Sequence, residues 1–248
     1  MNKKTFAALC ASFSLTSFSG ASVAMAVHIG DSDPLTEGWA LIDAAASNTV
    51  VRSAVNDGGV LAWSVDDNST ASGSIAFYNF EVSETNRNDA STAGWVLTTM
   101  LRNVDTADSP RGSPFIAYRD GAVSWQLQFG SDVDGDAIVL ARNSLPDDLS
   151  GSTYTLEGSG SVYNTYTMIF DPLAGNADIF VNGVERISDY GGFAFSDNTG
   201  VFFGAGRSPD TGQGNFSAVS WSVVPVPAAF WLLGPVIVGV LSRRRKLG

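Results

Sequence analysis

Along this chain, apolar residues come in short runs that alternate with polar ones. From residue 27 to 223 no stretch keeps an apolar period of 3.6, which an amphipathic helix needs. Runs of Val, Ile, Phe, Tyr and Trp are broken instead by Gly, Ser, Thr, Asn and Asp. That pattern predicts short antiparallel strands joined by tight turns, an all-β sandwich or barrel. The expected strands cover residues 39–44, 60–65, 74–82, 94–104, 114–119, 122–129, 137–142, 153–157, 163–170, 178–181, 200–206 and 215–223. Turn chemistry lies between them at Asp57-Gly58-Gly59, Asp120-Gly121, Asp134-Gly135, Asn182-Gly183 and Gly191-Gly192. The polar stretches 86–93 and 209–214 read as loops.

The sharpest local signal is the hairpin from Phe115 to Phe129. Asp-Gly between two alternating runs predicts a two-residue type I′ turn. With Asp120 and Gly121 as the loop, Arg119 pairs with Ala122, Tyr118 with Val123, Ala117 with Ser124 and Ile116 with Trp125. Ile116, Tyr118, Val123, Trp125, Leu127 and Phe129 then share the core face. Ser124, Gln126 and Gln128 share the opposite face with Ala117 and Arg119. Trp63, Trp95, Trp125 and Trp221 fall inside strand patterns and are assigned to the core.

The two ends have a different character. Lys3 and Lys4 precede an apolar, small-residue stretch, and Ala24-Met25-Ala26 forms an A-x-A cleavage site. Residues 1–26 therefore read as a signal peptide, with Val27 as the mature start. Cys10, the chain's one cysteine, leaves with it, so the mature protein has no disulfide and no thiol chemistry. At the other end, Val224-Pro225-Val226-Pro227-Ala228 is a stiff, non-helical motif. An apolar run to Leu241 follows, then Arg243, Arg244, Arg245 and Lys246. Counted from Val223 the run approaches the ~20 residues that a spanning helix needs, and the cations set that end on the cytoplasmic side.

This order of parts resembles the sorting signal of PEP-CTERM exosortase substrates, in its VPLPA form with Val226 replacing leucine. The resemblance covers residues 224–248. It implies a Gram-negative protein held briefly in the inner membrane by a short C-terminal transmembrane helix. An exosortase would cut it near the proline motif and deliver it to the cell surface or exopolysaccharide matrix.

Charge narrows the middle further. Six of the 14 lysines and arginines lie in the two ends, leaving eight arginines against 25 acids and a net charge of −17 for residues 27–223. Such a surface repels nucleic acid and anionic polymers unless cations intervene, and it suits an ion-rich exterior. The length, about 200 residues, suits one domain with a full core.

Within that domain, residues 163–186 read Y-N-T-Y-T-M-I-F-D-P-L-A-G-N-A-D-I-F-V-N-G-V-E-R. A strand, an Asp-Pro…Gly turn and a strand ending in Asn-Gly resemble the recurrent hairpin of concanavalin A-like and laminin G-like jelly rolls. The resemblance implies a concanavalin A-like jelly-roll sandwich, a fold shared by lectins, glycosidases and adhesive modules.

Candidate chemistry is sparse. His28 is the sole histidine and lies two residues into the expected mature chain, where a tail holds a catalytic base poorly. A glycosidase needs two opposed carboxyls, yet Glu37, Glu81, Glu84, Glu157 and Glu185 are scattered, so the expectation is a non-enzymatic protein. Asp132, Asp134 and Asp136, alternating around Gly135, form a candidate calcium loop, balanced by the reading of an acidic solvated turn. Arg119, Ser124, Gln126 and Gln128 form the candidate sugar-contacting surface. The expected role is an exported surface or matrix protein binding exopolysaccharide, with a purely structural matrix protein as the first alternative and a glycan-cleaving enzyme of the concanavalin A-like fold as the second.

Overall fold

The computed structural model describes residues 25–43, 50–68, 75–106, 112–144, 151–159, 162–206 and 211–224. Sixteen strands occur among them: β1 (Ala26–Ile29), β2 (Ala40–Asp43), β3 (Val50–Asp57), β4 (Val60–Asp67), β5 (Ile75–Phe80), β6 (Trp95–Thr106), β7 (Pro114–Arg119), β8 (Val123–Ser131), β9 (Ala137–Arg142), β10 (Gly151–Thr155), β11 (Asn164–Asp171), β12 (Asn176–Val181), β13 (Val184–Tyr190), β14 (Phe193–Ala194), β15 (Gly200–Gly206) and β16 (Gly212–Val223). One helix, α1 (Glu84–Ala93), and a 3₁₀ turn at Pro34–Glu37 complete the description.

The strands form two antiparallel sheets in a jelly-roll-like sandwich. The first sheet runs β13-β12-β11-β6-β16-β4-β3, and the second β10-β9-β8-β7-β15-β5-β2. β16 organises the first sheet. β6 borders its whole length, while β4 covers the other side at Gly212–Phe216 and β1 takes over at Ala218–Trp221. The core lies between the sheets and is dense in rings. Tyr118 stacks on Trp221 at 5.0 Å, and Phe203 meets Phe216 at 5.1 Å. Trp95, Trp125 and Trp221 are buried as their strand positions predicted; Trp63 is half-buried and donates its Nε1–H to Tyr78 Oη at 2.9 Å.

Several elements differ from the expectation. Residues 86–93 belong to α1, not a loop. The Ser83 hydroxyl caps the helix by accepting from Asn86 N–H at 3.3 Å, and Gly94, at φ 90°, ends it. Of its residues only Ala90 is buried, so there was no apolar period to read. β3 and β13 were missed for a related reason: both are edge strands with mostly exposed, polar positions. β1 and β14 were too short to signal.

The β7–β8 hairpin keeps its predicted faces but not its register. Arg119 pairs with Ser124 and Tyr118 with Trp125, two residues beyond expectation. A type I′ turn needs positive φ at both loop residues. Gly121 has φ 106°, but Asp120 is not among the positive-φ residues. Its carboxylate accepts instead from the N–H groups of Ala122 and Val123, at 2.7 and 2.8 Å, which fixes a longer loop. A two-residue shift leaves every side chain on its original face.

Ala24, Pro225, Val226, Pro227, Ala228, Arg243, Arg244 and Arg245 lie outside the described residues. Ala26 opens β1 and is buried opposite Trp221, and Val224 donates its N–H to the Gly94 carbonyl at 2.9 Å. The start of β1 and the end of β16 thus sit side by side at one rim of the sandwich. Among the described residues no helix is long and apolar enough to cross a membrane.

Candidate functional site

The predicted polar face exists but is not an open surface. Arg119, Ser124, Gln126 and Gln128 share one face of the second sheet, and all four are buried. Arg142 joins them, donating to Gln128 Oε1 at 2.9 Å, while Gln128 Nε2 donates to the Gly112 carbonyl at 2.7 Å. The Arg119 guanidinium lies between the rings of Phe195 and Phe202, at 4.2 and 4.4 Å. Burial pushes its pKa down to about 10, against the opposing charge of Asp197. Phe77, Phe115, Ala117 and Phe202 form a second apolar cluster, and it lies on this same face. Alternation told which side these residues take, but not that the side is covered.

The aspartate loop is self-contained. Asp132 Oδ1 accepts from the N–H groups of Asp134 and Asp136, at 3.0 and 2.9 Å. Asp136 Oδ2 accepts from Gly158 N–H at 2.8 Å, and Asp134 is exposed. Among the described residues no three His, Cys, Asp or Glu side chains are gathered to hold a metal. Asp132 caps the turn and Asp136 ties it to Gly158, so two of the three carboxylates are engaged with backbone N–H groups.

His28 is no tail residue. It is fully buried in β1, with Nδ1 2.7 Å from Glu37 Oε2 and its ring stacked on Phe203 at 5.1 Å. Its Nε2 faces the Phe216 carbonyl at 3.4 Å. The pair locks β1 and the 3₁₀ turn onto the core.

The open concavity lies elsewhere. A groove of about 630 Å³ is lined by Tyr154, Glu157, Ser159, Asn164, Asn182 and Arg186, together with apolar neighbours. It forms where the edge strands of the two sheets, β10 and β13, meet. Tyr154 packs one side of its ring on the core, and Arg186 lies 4.7 Å over that ring. Asn182 opens a two-residue I′ turn with φ 51°, its Oδ1 accepting from Thr165 N–H at 2.9 Å and its Nδ2 donating to Asn164 Oδ1 at 2.8 Å. Both amides are therefore fixed at the groove floor. Its volume falls in the range of small-molecule sites, roughly 300–1,000 Å³. In the sequence Glu157 stands isolated, and the other lining residues carry no chemical pattern of their own. The Asn182-Gly183 turn was the one available signal.

The groove sits at the rim opposite the start of β1 and the end of β16. Phe170 pairs with Trp95 beside Val223, whereas Asn164 pairs with Leu101. Six residues of strand separate the two levels, roughly 20 Å at the usual rise. At the terminal rim a smaller cavity, about 30 Å³, is lined by Arg87, Ser91, Trp95, Tyr118, Asp120, Trp125 and Phe170. Tyr118 Oη and Trp125 Nε1 are both buried and make no hydrogen bond.

No protein-family model matches this sequence, and none of the curated proteins matches it. Solved structures match it in shape. A conserved carbohydrate esterase of the Shiga toxin-encoding bacteriophage phi24B superposes with a TM-score of 0.55 at 9% identity, covering 82% of this chain and 100% of that one. A protein of unknown function from Shewanella oneidensis MR-1 gives 0.51 at 11% identity, over 82% of this chain and 88% of the other. Botulinum neurotoxin type C, whose cell entry depends on interaction with two ganglioside molecules, gives 0.50 at 9% identity. The match covers 83% of this chain and 49% of the toxin chain, about half its length. At these identities the likeness shows the fold.

Proposed function

We propose that this chain is an exported, non-enzymatic binding module of the cell surface or extracellular matrix, and that its rim groove takes a glycan segment of exopolysaccharide. The groove carries the reading. It offers an arginine–tyrosine stack braced by the core, fixed amides and a hydroxyl, which together match a sugar's hydroxyls. Among the described lining residues Glu157 is the one acid, so the second carboxyl that sugar hydrolysis uses is lacking there. An esterase triad needs a positioned histidine, and the chain's one histidine is bound to Glu37 inside the core. Two structures of similar shape, the phage esterase and the ganglioside-dependent toxin, concern sugar-bearing molecules. The acidic domain disfavours nucleic acid as a partner.

The tail sets the delivery. Residues 224–248 act as an exosortase sorting signal, holding the precursor in the inner membrane of a Gram-negative cell after removal of residues 1–26.

Calorimetry tests the binding. The full-length chain, held in a polyoxyethylene detergent that carries no sugar, is titrated with the producer's exopolysaccharide. Saturable heat that Tyr154→Ala weakens at least tenfold supports the reading. Absence of heat, or equal binding by the variant, overturns it.

A further inference from the structure

Of the six described arginines, five are spoken for. Arg52 pairs with Asp43 at 3.0 Å and Arg102 with Asp57. Arg87 donates to the Val82 carbonyl, and Arg142 donates to Gln128. Arg119 is buried between two rings. Arg186 alone is both exposed and free of any hydrogen bond or ion pair, and it stands in the wall of the groove.

Its position is built by the backbone. In the β12–β13 ladder Phe180 pairs with Glu185 and Ile179 with Ile187, so Arg186 is the extra residue of a β-bulge. A bulge bends an edge strand and turns one side chain away from its alternating direction. Here that side chain crosses to the other sheet and lies over Tyr154, the ring braced by the core. The stack holds the guanidinium still and leaves its in-plane N–H groups unbonded. A guanidinium fixed this way is a fork for a carboxylate, donating two parallel hydrogen bonds at low entropic cost.

We infer that the groove selects acidic sugars, with Arg186 gripping the carboxylate of a uronic acid residue while Tyr154 holds the guanidinium in place. The inference rests on the glycan-binding reading of the same groove. The domain's net charge of −17 repels a polyanion at long range, so the selection acts only at contact. Glu157, on the same groove, opposes the ligand's charge and is matched to its hydroxyls.

The test compares two ligands with one backbone: a galacturonate hexamer and its methyl ester. Each is titrated into the full-length chain in polyoxyethylene detergent at about 0.15 M salt, where charge effects reach about 8 Å. The acid should bind at least tenfold tighter than the ester. Arg186→Gln should erase that difference, Arg186→Lys should restore only part of it, and Glu157→Gln should tighten the acid more than the ester. Equal affinity for acid and ester, or a preference that survives Arg186→Gln, overturns the inference and leaves the glycan-binding reading standing. Binding of neither hexamer, when exopolysaccharide binds, overturns the uronic acid assignment. Binding of none of the three rejects both.

Discussion

Tyr190 of β13 joins the two sheets through its hydroxyl, which donates to the Arg142 carbonyl at 2.7 Å and accepts from Gln126 N–H at 3.0 Å. It lies four residues along the same edge strand from Arg186. Replacing Tyr190 with phenylalanine leaves a buried N–H and a buried carbonyl without that partner. The expected loss is about 1–3 kcal/mol, seen as a fall of several degrees in Tm. An unchanged Tm would show that the sheets do not depend on this clamp.

Burial raises the pKa of Tyr78, Tyr118, Tyr163, Tyr166 and Tyr190, with Tyr163 pushed up to about 12 and helped by the Asp57 charge. A raised folded pKa means that the native state holds a proton the unfolded state releases. The stability from these hydroxyls is whole below pH 10 and is lost as pH climbs above it. Arg119 works the other way over the same range, since its folded value of about 10 lies below its unfolded one, but it is one group against five. Tyrosinate absorbance should therefore rise together with loss of near-UV circular dichroism. Five tyrosines titrating near pH 10 with the fold intact would contradict this.

Asp132 caps its loop through Oδ1, which accepts from two backbone N–H groups. Asp132→Ala should lower Tm by the same amount in calcium and in chelator, a loss of about 1 kcal/mol. A calcium-dependent rise in the wild type that the variant lacks would restore the calcium loop.

Two unsatisfied donors line the 30 Å³ cavity at the terminal rim, which has room for about one or two waters. A high-resolution crystal structure should show ordered water within hydrogen-bond reach of both Tyr118 Oη and Trp125 Nε1. A dry cavity would mean that both polar atoms are buried without compensation.

Much of the fold was legible in the sequence. Strands β7, β9 and β15 have the predicted bounds, because continuous apolar runs end at Gly or charged residues. The faces of β7 and β8 followed from alternation alone. Legibility failed where no apolar pattern existed, in the exposed helix α1 and the edge strands β3 and β13. The groove was hidden for the same reason. Tyr154 and Arg186 lie on edge strands of different sheets, and Arg186 points across only because of a bulge, which leaves no mark in the residue pattern. Conversely, Gln126 and Gln128 alternate like surface residues yet are buried, since periodicity reports a face and not what lies over it.

Hydrogen exchange of the full-length chain, with and without the producer's exopolysaccharide, tests the central claim most directly. The rim groove predicts slowed exchange at residues 154–159 and 182–186, with residues 119–128 unchanged. Protection confined to residues 119–128, or none anywhere on the sandwich, would contradict it.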